Sequence, residues 1–202
     1  MYRTEIHRQL SPRLRDQVDH LIHRVWSFES RENGDVQVLA QANGGVLDPL
    51  DHLSLHVLIL DRAGLLVGYG RIAVTQLADS RAEILRELEL PTYLNAISSE
   101  TTIAYISRLV VDPAHRGRGI ASMIHQTRIK LANHLGADSI YGWAVGEKPR
   151  HALSQFGFAE VLERDGFSTP WYRTDRTTRL VKLDLSTAAK SEIETMRMAS
   201  SN

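Results

Sequence analysis

Three hydrophobic periods follow one another along this chain. Leu14, Val18, Leu21, Ile22, Val25 and Trp26 recur at helical spacing. Ser11-Pro12 ahead of them supplies an N-cap and a first helical position, so a helix is expected to run to about Trp26. The following stretch, Ser30 to Asp48, is polar and broken by Asn33-Gly34 and Gly44-Gly45, and reads as an irregular loop. The period then drops to two. Leu53, Leu55, Val57 and Ile59 alternate, Asp61 to Gly64 forms a turn, and Leu65 to Val74 returns, which predicts a β-hairpin. Ser80 and Glu83 make a capping box for a helix that ends before Pro91. Ile103 to Val111 is a third long strand. Gly119 to Leu135 is a strong helix with Ile120, Met123, Ile124, Thr127, Leu131 and Leu135 on one face, stopped by Gly136. Ser139 to Val145 reads as a buried strand and Pro149 to Gln155 as a short helix closed by Gly157. Phe158 to Leu162 and Arg179 to Leu185 are the last strands, joined by a loop that holds Pro170-Trp171-Tyr172. The order is mixed α/β (α+β), with an antiparallel start and a βαβ unit in the middle. It predicts one domain over residues 1–185 and a polar tail over 186–202.

Composition narrows this picture. Of 202 residues 43% are hydrophobic, enough for a sizeable core. Lys+Arg equal Asp+Glu at 24 each, so nothing asks for nucleic acid or an anionic membrane. The absence of cysteine excludes disulfides, thiolate metal sites and a cysteine nucleophile. No apolar run approaches the roughly 20 residues of a membrane span, and Met1 to Leu10 lacks a signal-peptide core. A soluble cytoplasmic protein is expected. His52 and His56 are four apart, but on a strand that separates them by about 13 Å, and no metal site is expected there.

The chemistry concentrates between Ile106 and His125. A strand ends at Val111, Asp112-Pro113 turns, and Arg116-Gly117-Arg118-Gly119 leads straight into a helix that begins Ile120-Ala121-Ser122. Glycines at 117 and 119 permit positive φ and close approach of a ligand to the backbone. The first amides of the helix have no internal partner, the helix dipole favours an anion, and Arg116 and Arg118 add positive charge. A dinucleotide fingerprint would need a third glycine where Ser122 stands, and a P-loop would need Gly-Lys-Ser/Thr, which is absent. The expected ligand is a diphosphate. A glycine turn serving packing alone is the competing reading.

With Val111-Asp112-Pro113 before it and Phe156-Gly157-Phe158 after, the stretch Arg116 to Ala121 resembles the pyrophosphate motif of the GNAT acyltransferase superfamily, Arg/Gln-x-x-Gly-x-Gly/Ala. The resemblance covers Leu53 to about Leu185. It implies a central, mostly antiparallel sheet with a splayed parallel pair and flanking helices. It further implies acetyl-CoA or another acyl-CoA as donor, no metal, and direct attack by a primary amine of a small molecule or peptide. Leu109, Val110 and Val111 would pair with the pantetheine arm, residues 116–122 would hold the pyrophosphate, and the Val111 N–H is the candidate oxyanion donor. A homodimer is compatible with the family. The family's usual proton donor, a tyrosine four residues before the Gly of Gly-Phe, is Leu153 here. Ser154, His151 and Tyr172 are the alternatives for that role. Tyr105, Ser107, Glu100 and His56 are candidates for the base.

The first half has a narrower likeness. Trp26, Asp48-x-x-Asp51, Gly68-x-x-Arg71 and Ser107-Arg108 resemble the layout of acyl-homoserine lactone and N-acyl amino acid synthases. Those enzymes use long acyl-CoA or acyl carrier protein. Their Glu-x-Ser-Arg motif has Tyr105 in place of Glu here. On this reading Arg71 and Arg108 contact substrate; otherwise they pair with strand carboxylates. The loop from Gly166 to Arg176 is expected to border the acceptor pocket, with Trp171 or Tyr172 touching substrate. A third reading, of another class, is a non-catalytic acyl-CoA-binding module.

Overall fold

The computed structural model describes residues 1–33, 36–38, 49–77, 98, 101–168 and 172–185. The described strands are β1 (Arg3–His7), β2 (Val36–Val38), β3 (Ser54–Leu60), β4 (Leu66–Gln76), β5 (Thr102–Val111), β6 (Ser139–Val145), β7 (Ala159–Ser168) and β8 (Tyr172–Asp184). The helices are α1 (Pro12–Asn33), α2 (Ile120–His134) and α3 (Glu147–Ser154), with short 3-10 turns at Pro49–Leu53 and Pro113–His115. The sheet order is β1-β3-β4-β5-β6-β8-β2, with β7 on β8. Every pair is antiparallel except β5–β6. This is the mixed α/β architecture the resemblance implied. None of the described helices is long and apolar enough to cross a membrane.

Alternation along β3, β4 and β5 sends side chains to two faces. On one face, Leu58, Leu60, Tyr69 and Val110 pack under Val18, Leu21, Ile22 and Val25 of α1. The same face continues with Ala73, Ile103, Tyr105 and Tyr141 around Leu50 of the first 3-10 turn. The opposite face carries Val57, Ile59 and Val67 against Ile120 and Ile124 of α2. There Ile72, Ala104, Ile106 and Ile140 also pack with Ala132, Leu153 and Phe158. α1 begins as expected, with Ser11 Oγ accepting from Leu14 N at 3.3 Å.

Several elements depart from the sequence reading. α1 does not stop at Trp26 but runs to Asn33, and β2 lies within the stretch read as a loop. Past Trp26 the helix is tied down by polar contacts of Glu29, which leave no hydrophobic period to read. Among the described residues β1 is an edge strand paired with β3 alone, with Ile6 47% exposed, so it too lacks an apolar signature. Residues 166–168 and 172–176 are strand, not loop. β7 and β8 are a long hairpin rich in Glu, Arg and Thr, in which Arg179 pairs with Glu160 and Glu163 across the strands and with Glu147 of α3. His52 stands in the 3-10 turn and only His56 is on the strand. On α2 the buried stripe includes His125 and Arg128, while Leu135 is 38% exposed. The helix expected over Ser80 to Pro91, together with Asp48, Glu100, Trp171 and the tail beyond 185, lies outside the described residues.

Candidate active site

The parallel pair is brief. β5 and β6 register only from Ile103↔Ser139 to Ile106↔Gly142, although β5 continues to Val111 and β6 to Val145. Gly142 closes the last rung, because a Cβ there would lie 2.7 Å from Ile106 Cγ1. Just past that rung β5 bulges. Tyr69 pairs with Val110 and Arg71 with Ser107, so Gly70 alone faces Arg108 and Leu109. Arg108 takes φ 54°, an uncommon conformation for a residue with a side chain. Beyond the bulge, Asp112 N donates to Val67 O at 2.9 Å, flanking the Gly68↔Val111 pair. Antiparallel alternation then turns the Val111 N–H away from β4, toward the edge from which β6 has diverged. A splayed slot thus has a backbone donor on one wall.

The glycine loop stands at the head of this slot. Asp112 caps the 3-10 turn by accepting from Ala114 N at 2.9 Å. Gly117 and Gly119 take φ 72° and 78°, and Gly119 is the N-cap of α2. A Cβ at either would meet nothing within 4 Å, so these glycines answer a backbone demand and not crowding. Arg116, Gly117, Arg118, Gly119 and Ser122 are exposed, Ala121 is half-buried and Ile120 is buried. α1 braces the loop from behind: Arg24 Nη2 lies 2.5 Å from Asp112 Oδ2, and Arg116 Nη2 lies 2.7 Å from Glu29 Oε1. The Arg116 guanidinium also sits over the Phe28 ring, and its Nε donates to Val111 O at 3.4 Å. The Tyr2 hydroxyl meets His115 Nδ1 at 3.1 Å from the other side.

Beneath the bulge lies a polar network in the core. Arg71 is 1% exposed; its Nη1 donates to Asp51 Oδ1 at 2.9 Å and its Nε to Ser107 Oγ at 2.8 Å. Arg128 reaches through from α2 and donates to Ser107 O at 2.5 Å. Gly70 makes room for it, since a Cβ there would fall 2.2 Å from Arg128 Nη2. Burial pushes the Arg128 guanidinium down to about 9, still protonated at neutral pH. On the far side, His56 Nε2 is 3.1 Å from Asp51 O and Nδ1 is 2.9 Å from the Tyr69 hydroxyl. A carbonyl only accepts, so Nε2 carries the proton and Tyr69 donates to Nδ1. Burial lowers the His56 pKa and keeps the Tyr69 hydroxyl protonated.

The structure therefore brings Asp51, Arg71 and Ser107 together, and Arg71 does pair with a carboxylate. Tyr105 is buried among Leu50, Ala73 and Tyr141. Leu153 is in the core, whereas His151 and Ser154 are exposed on α3 and Ser154 Oγ donates to His151 O at 2.8 Å. Tyr172 begins β8, opposite Val38 of β2. Arg128, Tyr69 and His125 went unread as site residues. On α2 the two polar side chains hid in an apolar period, and only their recurrence with Ala132 at i, i+3 and i+7 marks them as inward-facing. Among the described residues no group of three or more His, Asp or Glu is placed to hold a metal ion.

Known structures share this fold. No curated protein matches the chain in sequence. Among solved structures, arylalkylamine N-acetyltransferase 2 from Aedes aegypti superposes with a TM-score of 0.62 at 14% identity, over 92% of this chain and 99% of that one. The ribosomal-protein-S18-alanine N-acetyltransferase from Escherichia coli gives 0.56 at 12% identity, over 92% and 96%. Arabidopsis thaliana NAA60 in complex with acetyl-CoA gives 0.54 at 14% identity, over 92% and 99%. At these identities the likeness is one of fold. The sequence model of the acetyltransferase (GNAT) family matches residues 16–158, a span that includes the bulged strand, the glycine loop and α2. This chain belongs to the acetyltransferase (GNAT) family.

Proposed function

We propose that this chain is an acyl-CoA-dependent N-acyltransferase that passes an acyl group, acetyl first among the donors, to a primary amine by direct attack. The observation that carries the reading is the slot itself. The parallel pairing ends at Ile106 and Gly142, the bulge follows at Arg108, and the glycine loop opens at the head of the same strand. The amide-turning geometry at Leu109 to Val111 suits a pantetheine arm lying along β5. Residues 116–122 suit the pyrophosphate, with Arg116 shifting from Glu29 to phosphate. In the reaction the amine nitrogen attacks the thioester carbonyl and a C–N bond forms; the C–S bond then breaks, and coenzyme A leaves as its thiol, gaining a proton as the amine gives one up. The oxyanion between these steps falls to the Val111 N–H. Ser107 Oγ already accepts from Arg71, which suits it to positioning that guanidinium. The amine N-acetyltransferases among the structural neighbours, for arylalkylamines and for a ribosomal-protein alanine, agree with an amine acceptor.

A second reading, an N-acyl amino acid or acyl-homoserine lactone synthase-like enzyme, is favoured by the Asp51–Arg71–Ser107 cluster. The deciding experiment pairs thermal shift with free-thiol release over an amine panel, using acetyl-, medium- and long-chain acyl-CoA and acyl carrier protein. Acetyl-CoA is expected to raise the melting temperature, as any ligand of the native state does, and thiol release to depend on amine. A preference for long chains selects the second reading. Binding without turnover selects a non-catalytic acyl-CoA-binding module, and no shift with any acyl-CoA defeats the donor assignment.

A further inference from the structure

Resting on the acyl-CoA reading, we propose that His125 is the side-chain hydrogen-bonding group for a pantetheine amide in the slot between β5 and β6. His125 is 3% exposed, and neither ring nitrogen has a hydrogen-bond partner among the described residues. A buried, unsatisfied polar ring costs stability, and an apolar residue at this helical position would avoid that cost. Burial, and then the charge of Arg128, push the His125 imidazole down to about 3. It is neutral at physiological pH, with one N–H donor and one bare acceptor nitrogen, the same pair of functions an amide carries.

Its place follows from its neighbours. Ile124 Cγ2 lies 2.6 Å from where a Cβ on Gly70 would stand, so this turn of α2 is level with the residue that faces the β5 bulge. His125 follows one residue later, turned about 100° round the helix axis. Its ring lies 5.4 Å from the Phe156 ring just past α3, which fixes the direction of that turn as toward β6 and α3. The level of the bulge is beyond the last β5–β6 rung at Ile106 and Gly142. His125 therefore flanks the opened stretch of the slot, one to two turns inside the glycine loop that caps α2. An arm threaded from that loop along β5 has backbone partners on the strand side and, on the helix side, this imidazole.

The test compares two ligands by calorimetry: coenzyme A, which has the arm, and ADP, which keeps the diphosphate and lacks the arm. His125→Leu is expected to weaken coenzyme A about tenfold, the scale of one lost hydrogen bond, and to leave ADP unchanged within about twofold. The same variant should melt at or above the wild-type temperature, because an orphaned polar ring is gone. His125→Gln, which restores an amide donor and acceptor, should recover most of the coenzyme A affinity and serves in its place if the leucine variant does not fold. Unchanged coenzyme A affinity in both variants makes His125 a core residue and overturns the proposal. Equal losses for coenzyme A and ADP also overturn it, since they place the effect in the glycine loop. Failure of the wild-type protein to bind coenzyme A at all would instead remove the acyl-CoA reading on which the proposal stands.

Discussion

The glycine loop and the polar network under the bulge are joined by one strand, β5, yet they are built in opposite ways. The loop is exposed, its two glycines are surrounded by open space, and its shape comes from local backbone geometry. The network is buried and crowded, and its groups come from five separated places: Asp51, His56, Tyr69 with Arg71, Ser107 and Arg128. Removing a loop residue should spoil a ligand site and spare the fold. Removing a network residue should spoil the fold first.

The sharpest way to break the comparison is Asp51→Ala. It breaks the buried Asp51–Arg71 ion pair, which costs on the order of 3–5 kcal/mol and should lower the melting temperature by roughly 6–20 °C for a chain of this size. A loss under about 2 °C in calorimetry would mean that the network does not hold the fold. Next is Gly70→Ala, whose methyl would collide with Arg128 and Ile124. Overpacking of this kind costs about 1–3 kcal/mol and should appear as a lower urea midpoint. Gly117→Ala meets no atoms and is expected to cost only about 1 kcal/mol, from its left-handed φ; equal losses at 70 and 117 would erase the distinction.

Acid offers a third contrast. His56 and His125 both titrate below the ordinary 6.5 in the folded state, His125 near 3. Above 6.5 folded and unfolded forms bind the same protons at these sites. Below it the unfolded chain takes them up and the native state does not, so stability falls with decreasing pH, by up to about 1.4 kcal/mol per pH unit for each group. For His125 the loss continues until the pH reaches about 3. Denaturant titrations at pH 7 and pH 5 should show this, and His125→Leu should lessen the slope by one proton. No loop substitution should alter it. Gly119→Val is expected to lose about 1–2 kcal/mol of stability while weakening coenzyme A more than tenfold. A folded variant with normal coenzyme A affinity would detach the diphosphate from this loop.

The loop was legible because its information is local. Val111-Asp112-Pro113, the glycines at 117 and 119 and the first turn of α2 lie within about a dozen consecutive residues, and φ preference and helix-end amides act over that range. The hairpin of β3 and β4 and the core strands β5 and β6 were legible for a similar reason, since burial writes a period into the sequence. β1, β2 and the stretches of β7 and β8 beyond the predicted Phe158 to Leu162 and Arg179 to Leu185 were not, because strands with polar residues on both faces, or with one exposed edge, carry no such period.

By itself, then, the sequence determined a mixed α/β chain with a glycine turn opening a helix at a stated place, because those features depend on neighbours along the backbone. Only the tertiary structure decided that β5 and β6 part after Ile106, that Asp51, Arg71 and Ser107 form one cluster, and that the acid candidates Ser154 and His151 are exposed while His125 is buried. Those facts depend on strand register and on which way a helix is turned against a sheet. A shift of one residue reverses a strand's faces and turns a helix by about 100°, so they are settled only when the whole sheet is assembled.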